Sequence, residues 1–278
     1  MALSFFIHNN EIFKTNEKTI SISQSPLRYG EGFFETILSI NGELKLKELH
    51  FARIEKTFRL LKYRKIDSAF LDNLENQINT LLIKNKHLQH ARVRIMFFQK
   101  NLNGNHIISK YPDFILESFE VDQIKQLNKD GLTLNIFEDA VIPCDRYSQI
   151  KSNNYQPYLL AATYAKENCV DDAILLNMYS RVCETSISNI FILKKEKIIT
   201  PLISEGCIAG VMREYLLSKL KEHFIIEENQ ISLKDLIEAD EVFITNSIRG
   251  IRWVKKINGS TYTNKAIKKI YRTIGLTK

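Results

Sequence analysis

Residues 173–200 leave room for little except strands. Four short apolar runs, at 173–176, 180–184, 189–193 and 197–200, follow one another with only a few polar residues between them. Lys194-Lys195-Glu196-Lys197 reads as a hairpin tip. Any fold for this chain must therefore house several consecutive strands in its second half.

The flanking segments mix both kinds of element. Leu132-Thr133-Leu134-Asn135-Ile136 alternates as a strand, and Pro157 suits the first turn of a helix running to about residue 168. Gly206 opens a helix to about residue 221, Ser232 caps a short helix over 232–239, and a terminal helix spans 264–274. Glu241-Val242-Phe243-Ile244-Thr245-Asn246-Ser247 reads as a buried strand ending in hydroxyl groups, with Trp253-Val254 packing beyond it.

The first half opens with short strands at 5–7 and 12–13 around the Asn9-Asn10 turn, and an alternating run at 19–22. Residues 25–32 are a loop by composition. A strand over 33–40 then turns through Asn41-Gly42, a type I′ signal, into 43–46. Phe51, Ile54, Phe58 and Leu61 make one apolar stripe on a helix over 47–62. A second helix covers 69–86, strands lie at 91–98 and 113–120, and Gly104 falls in a polar loop. The whole is a mixed α/β (α+β) chain. Its 278 residues suit two domains. The expected division is 1–121, a polar linker at 122–130, and 131–278.

Composition removes several classes. No apolar run approaches the roughly 20 residues a membrane helix needs, and the N-terminus lacks a charged n-region. A cytoplasmic location is expected. Cys144, Cys169, Cys183 and Cys207 are widely spaced without C-x-x-C, and the histidines lack H-x(3)-H, so no metal site is expected. The net charge of +7 is dispersed. It fits a solvated surface rather than a nucleic-acid stripe, since no aromatic–basic RNA motif accompanies it. The same field raises the on-rate of anionic substrates.

Two groups carry chemistry. Lys151 ends a short apolar approach before a helix start, and Glu184 ends a strand before a Thr-Ser cluster and Asn189-Ile190-Phe191. A poised lysine and a carboxylate are what pyridoxal 5'-phosphate (PLP) chemistry requires. The lysine forms the Schiff base, and the carboxylate keeps the pyridine nitrogen protonated. Arg92 and Arg94 share one face of a strand otherwise rich in apolar residues. They need an anion opposite: a substrate carboxylate or an internal Asp or Glu.

The motifs, in order, resemble the class IV aminotransferases. This PLP fold-type IV family includes branched-chain and D-amino-acid aminotransferases and 4-amino-4-deoxychorismate lyases. K-S-N-N-Y at Lys151 looks like the Schiff-base segment, and C-E-T-S-I-S-N-I-F looks like the E-x(4)-N-[IVL]-F signature. L-R-Y-G-E-G-F-F-E-T resembles the N-terminal signature, His50 and Arg53 the H-x-x-R pair, and E-V-F-x(3)-[TS] ends at Ser247. Gly210-Val211-Met212-Arg213 is similar to G-[IV]-T-R, with Met212 where the family carries threonine.

The resemblance implies a small N-terminal α/β sandwich and a larger β-barrel-like C-terminal domain with flanking helices. It implies Lys151 as Schiff-base lysine and Glu184 as partner of the ring nitrogen. Arg53, the backbone of Val211 and Met212, and Ser247 would hold the phosphate, and Tyr155 the 3′-oxygen. Tyr29, Arg92 and Arg94 would face substrate. Read on residues alone, Tyr29 with its neighbouring aromatics is core packing, and Arg53 a surface arginine. A homodimer and amino-acid and 2-oxo-acid substrates are implied. Transamination is the expected reaction. Thr36, a threonine that the family's lyases carry, supports lyase action as the alternative, and an inactive PLP-binding relative is a minor one.

Overall fold

The computed structural model describes residues 4–17, 24–63, 66–99, 112–123 and 126–275. The expected run at 19–22 and the Gly104 loop lie outside these residues. The chain divides into two compact units. The first holds Met1–Gln123 and Lys151–Asn154; the second holds Ile124–Ile150 and Tyr155–Lys278.

In the first unit, β1 (Phe5–His8) and β2 (Glu11–Lys14) form a hairpin. Where composition suggests only loop, α1 (Ser25–Tyr29) is a short helix. Pro26 stands in its first turn, where a missing N–H is harmless, and Gly30 ends it at φ 62°. β3 (Phe33–Ile40) turns through Asn41 and Gly42, both at positive φ as a type I′ turn requires, into the two-residue β4 (Glu43–Leu44). Then follow α2 (Lys47–Leu60), α3 (Ser68–Asn85), β5 (His90–Phe98) and β6 (Asp113–Glu120). The sheet order is β2-β1-β6-β5-β3-β4, antiparallel throughout.

Alternation along the strands separates two faces of this sheet. Phe33, Glu35 and Ile37 take the helix-covered face with Val93, Ile95 and Phe97, against buried Ile54 and Phe58 of α2 and Leu74 and Ile78 of α3. Phe33, Phe58 and Phe97 meet there with centroids 4.9, 5.4 and 5.8 Å apart. Phe34, Thr36 and Leu38 take the other face with Met96, Arg94 and Arg92.

Because β4 pairs only with Ser39 and Ile40, it leaves the start of β3 without a strand on that side. Residues 151–154 take the place. Phe34 N–H donates to the Lys151 carbonyl at 2.9 Å, Asn153 N–H donates to the Gly32 carbonyl at 2.9 Å, and Phe33 bridges Ser152. The sheet edge is thus satisfied by a distant piece of the same chain.

The second unit begins with β7 (Leu132–Ile142), α4 (Gln156–Glu167) and β8 (Asp172–Asn177); β7 and β8 are parallel, as a helical crossover demands. β9 (Val182–Thr185), β10 (Asn189–Lys194) and β11 (Lys197–Pro201) follow, then a 3-10 turn at Ile203–Glu205 and α5 (Val211–Leu220). The unit closes with β12 (Ile225–Asn229), α6 (Leu233–Ile237), β13 (Glu241–Asn246), β14 (Gly250–Ile257), β15 (Ser260–Thr261) and α7 (Lys265–Thr273). The sheet runs β12-β11-β10-β13-β14-β7-β8-β9, with β15 on β14, and curls into a half-barrel. One core lies on Leu134, Ile174, Ile190, Ile192, Val242 and Val254. A second gathers Phe137, Ala161, Cys183 and Cys207 beneath α4.

The polar run before Gly131 is more than a tether. Asn128 accepts the Trp253 backbone N–H at 2.9 Å and donates to its carbonyl at 3.0 Å, while the Trp253 indole donates to the Asn128 carbonyl at 2.7 Å.

Candidate active site

In the first unit, Lys151 reaches the sheet face opposite the helices. Its Nζ stands 4.6 Å from the centroid of Phe34. Thr36 pairs with Arg94 across β3 and β5, and Leu38 with Arg92. Arg94 lies over the same Phe34 ring at 4.8 Å and 3.7 Å from Glu117, so an internal carboxylate does face it. Arg92, exposed, lies over Phe119 at 4.7 Å. Tyr29 is 60% exposed at the end of α1.

The segment after the lysine is held by Glu31. Asn153 donates from Nδ2 to the Glu31 carbonyl at 3.1 Å. The Glu31 carboxylate accepts the Tyr63 hydroxyl at 2.5 Å and the Gln99 N–H at 2.9 Å. Gly32 sits at φ 123°, and a Cβ there would come within 2.5 Å of the Phe97 carbonyl and Asn153 Nδ2, so no other residue fits.

Arg53 projects from α2 and grips Glu35 on the helix-covered face. Its Nε and Nη2 donate to the two carboxylate oxygens, each at 2.7 Å. His50 Nδ1 lies 2.7 Å from Glu35 Oε2. Burial pushes the Glu35 carboxyl up, but the Arg53 charge and the His50 contacts outweigh it and draw it down to about 2. The fork on Glu35 fixes the guanidinium plane, which would present Arg53 to an anion in one orientation.

In the second unit, Glu184 is 2% exposed at the end of β9. Its Oε1 accepts the Tyr158 hydroxyl at 2.8 Å and the Ile208 N–H at 3.0 Å; Oε2 accepts from Asn189 Nδ2 at 3.3 Å. Asn189 also donates to the Ile208 carbonyl at 2.9 Å. The turn that follows Glu184 is pinned by buried Asp172, which accepts the Thr185 hydroxyl at 2.7 Å and the Ser186 hydroxyl at 2.6 Å.

Other residues singled out by the sequence lie in the same unit. Tyr155 donates its hydroxyl to the Ser186 carbonyl at 2.9 Å and stacks on Tyr158 at 4.6 Å. Ser247 stands in the turn after β13, where Asn246 accepts the Ile248 and Arg249 N–H groups and donates to Ser188 Oγ at 3.0 Å. The helix expected from Gly206 starts at Val211, behind an N-cap Gly210 that makes no side-chain cap bond. The first-turn N–H groups of α5 therefore lack that partner, as an anion site needs. A Cβ on Gly210 would meet Asn189 Oδ1 at 1.8 Å, which explains glycine there. Met212 is 5% exposed, so its side chain fills the core where the family's threonine would offer a hydroxyl. Arg181 and Asn177 hold Glu205, the last residue of the 3-10 turn, from Nη2 at 3.0 Å and Nδ2 at 2.8 Å. That contact fixes the start of the Gly206–Gly210 loop.

Sequence patterning missed Tyr158, Glu35 and Glu205 as parts of this machinery. For Tyr158 a signal exists: Tyr155 and Tyr158 at a helix start lie three apart, which places both phenols on one side.

A family model for amino-transferase class IV matches residues 32–257. The chain belongs to the class IV aminotransferase family. It is 26% identical over 255 residues to branched-chain-amino-acid aminotransferase-like protein 2 of Arabidopsis thaliana, covering 90% of this chain but only 45% of that protein. It is 26% identical over 247 residues to an aminodeoxychorismate lyase of Vibrio harveyi, covering 86% of this chain and 88% of the lyase. In structure it is similar to a branched-chain aminotransferase of the thermophilic archaeon Thermoproteus uzoniensis, crystallised with norvaline. That likeness has a TM-score of 0.84 at 21% identity, over 98% of this chain and 94% of that one.

Class IV aminotransferases are PLP-dependent. The donor set of this chain fits the cofactor. A buried carboxylate that accepts hydrogen bonds from Tyr158, Ile208 and Asn189 stays charged more readily, as the partner of a protonated pyridine nitrogen must. The uncapped α5 N-terminus suits a phosphate. Among the described residues, no group of three or more His, Cys, Asp or Glu could hold a metal ion, and no helix is long and apolar enough to cross a membrane.

Proposed function

We propose that this class IV aminotransferase moves an amino group between an amino acid and a 2-oxo acid, with PLP held on Lys151. The observation that carries this reading is Glu184, a buried carboxylate oriented by three donors and placed within an E-x(4)-N segment. Bound PLP supplies an electron sink, dispersing the negative charge left when the C–H bond beside the substrate nitrogen breaks.

The chain's own residues do the rest. Lys151 Nζ would hold the cofactor covalently and would move the proton at the carbon bearing nitrogen. Glu184 keeps the ring nitrogen protonated. Arg53, the N–H groups of Val211 and Met212, and the Ser247 hydroxyl hold the phosphate. Tyr155 would hydrogen-bond the 3′-oxygen. Tyr29, Arg92 and Arg94 face the substrate, where the guanidinium groups suit carboxylates.

A second reading is 4-amino-4-deoxychorismate lyase activity, releasing 4-aminobenzoate and pyruvate. Thr36 favours it. Its hydroxyl-bearing side chain shares the sheet face with Phe34, over which Lys151 Nζ stands, so a proton relay toward a leaving group has a candidate. The two readings separate in one assay of the purified protein, with a panel of amino acids and 2-oxo acids beside enzymatically supplied aminodeoxychorismate. Keto-acid formation is the expected result. Release of 4-aminobenzoate without transamination would replace the first reading by the second, and Thr36→Ala would then impair elimination far more than cofactor binding. A protein that loads PLP and turns over neither substrate is the inactive relative.

We place the enzyme in the cytoplasm, a reducing compartment that suits its four free thiols. We also propose a two-fold homodimer, because Leu27 and Tyr29, 64% and 60% exposed, put apolar surface on the α1 loop. Light scattering at micromolar concentration is expected to give twice the chain mass; a fully active monomer contradicts it.

A further inference from the structure

Residues 151–154 are seated on the start of β3 by backbone bonds that any sequence can make. Phe34 N–H donates to the Lys151 carbonyl and Asn153 N–H to the Gly32 carbonyl, both at 2.9 Å. Backbone groups recur along every strand, so bonds of this kind do not tell one register from the next. The register nonetheless decides where the lysine goes. A slip of one residue would carry Lys151 to the opposite face of the sheet. A slip of two would keep the face and move the amine about 7 Å along the strand. In the observed register Lys151 Nζ stands 4.6 Å from the Phe34 centroid, on the face that Phe34 shares with Thr36 and Arg94.

The Asn153 side chain supplies what the backbone lacks. Its Nδ2 donates to the Glu31 carbonyl at 3.1 Å, so side chain and main chain of one residue grip two successive carbonyls, those of Glu31 and Gly32. The same Nδ2 fills the notch that Gly32 leaves, where a Cβ would come within 2.5 Å of it and of the Phe97 carbonyl. A slip of two would bring Lys151 or Tyr155 to this notch, and neither carries an amide to place there. Glu31 is fixed in turn. Its carboxylate accepts the Tyr63 hydroxyl at 2.5 Å and the Gln99 N–H at 2.9 Å, which ties it to the chain just beyond α2 and β5. Burial, and then the bond to Glu31, push the Tyr63 phenol well above its ordinary range, so it keeps its proton and remains a donor.

We propose that Asn153 is a positioning residue for the reactive lysine. Together with Glu31 it locks the 151–154 segment in the one register that presents Lys151 on the Phe34 face. This rests on the reading of Lys151 as the residue that holds PLP.

The test compares the wild-type chain with Asn153→Asp and Asn153→Ala. Aspartate keeps the shape but turns an oxygen toward the Glu31 carbonyl; alanine removes the group and keeps the backbone. Amide hydrogen exchange is read at Phe34 and residue 153 on the full chain as purified. Both amides are expected to exchange about tenfold faster in the variants, the size of one hydrogen bond, while the amides of β10 and β13 keep their protection. Borohydride trapping and mass spectrometry then follow the cofactor onto Lys151. The rate of that attachment and kcat should each fall about tenfold, with the substrate KM unchanged because Tyr29, Arg92 and Arg94 are untouched. Glu31→Gln should lower kcat in the same direction and add no further loss in the Asn153→Asp background, as residues acting through one another require. Wild-type exchange at Phe34 and residue 153 in both variants overturns this inference and leaves the functional reading standing. Faster exchange with unchanged attachment and kcat does the same, because the register would then not govern the lysine. Loss of protection throughout both units also overturns it, since Asn153 would be holding the fold rather than the lysine. A wild-type protein that takes up no cofactor on Lys151 overturns the functional reading and this inference with it.

Discussion

Lys151→Ala is expected to lose the visible absorption of the bound cofactor and nearly all turnover. Two separate losses combine in that substitution. The covalent attachment disappears, and with it the base that moves the substrate proton. Alanine leaves the backbone contacts of this segment intact, since Phe34 N–H donates to the residue 151 carbonyl rather than to a side chain. The fold should therefore survive, and an unchanged far-ultraviolet circular dichroism spectrum checks it. Borohydride trapping of the wild type followed by mass spectrometry should find the pyridoxyl group on Lys151. Its appearance on another lysine would withdraw the assignment.

Glu184→Gln is expected to bind cofactor while turnover falls by several powers of ten, each corresponding to about 1.4 kcal/mol of barrier. Glutamine preserves the shape and removes the charge proposed to keep the ring nitrogen protonated. It also inserts an amide among the three donors that now converge on the carboxylate: the Tyr158 hydroxyl, the Ile208 N–H and Asn189 Nδ2. One amide oxygen can satisfy only part of that set, and the amide N–H groups oppose the remainder. A small loss of thermal stability should accompany the large loss of rate. Full activity in this variant would show that another group partners the ring nitrogen.

Much of the molecule was legible because its signals are local. Alternation marked β3 and β5 and placed Arg92 and Arg94 on one face; Asn41-Gly42 announced its own turn. The ordered motifs single out Lys151 and Glu184, whose proposed chemistry calls for a lysine and a carboxylate. What stayed hidden depends on distant partners. His50 and Arg53 were visible as a pair one turn apart, but Glu35, which both contact, lies on a strand before the helix. β12 is a partly exposed strand parallel to β11, and its Ile-Ile-Glu-Glu-Asn carries no alternation to announce it. The loop expected at 25–32 contains a short helix because Pro26 and Gly30, read as loop formers, also serve as helix start and stop. Nothing near Lys151 in the chain signals that residues 151–154 pair with β3.

That pairing ties Lys151, the proposed Schiff-base lysine, to a contact between residues distant in the chain. Phe33 and Ser152, the partners of the bridge, come together only after the intervening chain has been synthesised and looped back. The edge belongs to the start of β3, and the segment that fills it comes from the other half of the sequence. Contacts of such separation form slowly. A nascent or half-folded chain thus holds its lysine without the neighbours that would aim it at an aldehyde. The proposed reactivity thus requires a chain that extends at least through this segment and has looped back onto β3.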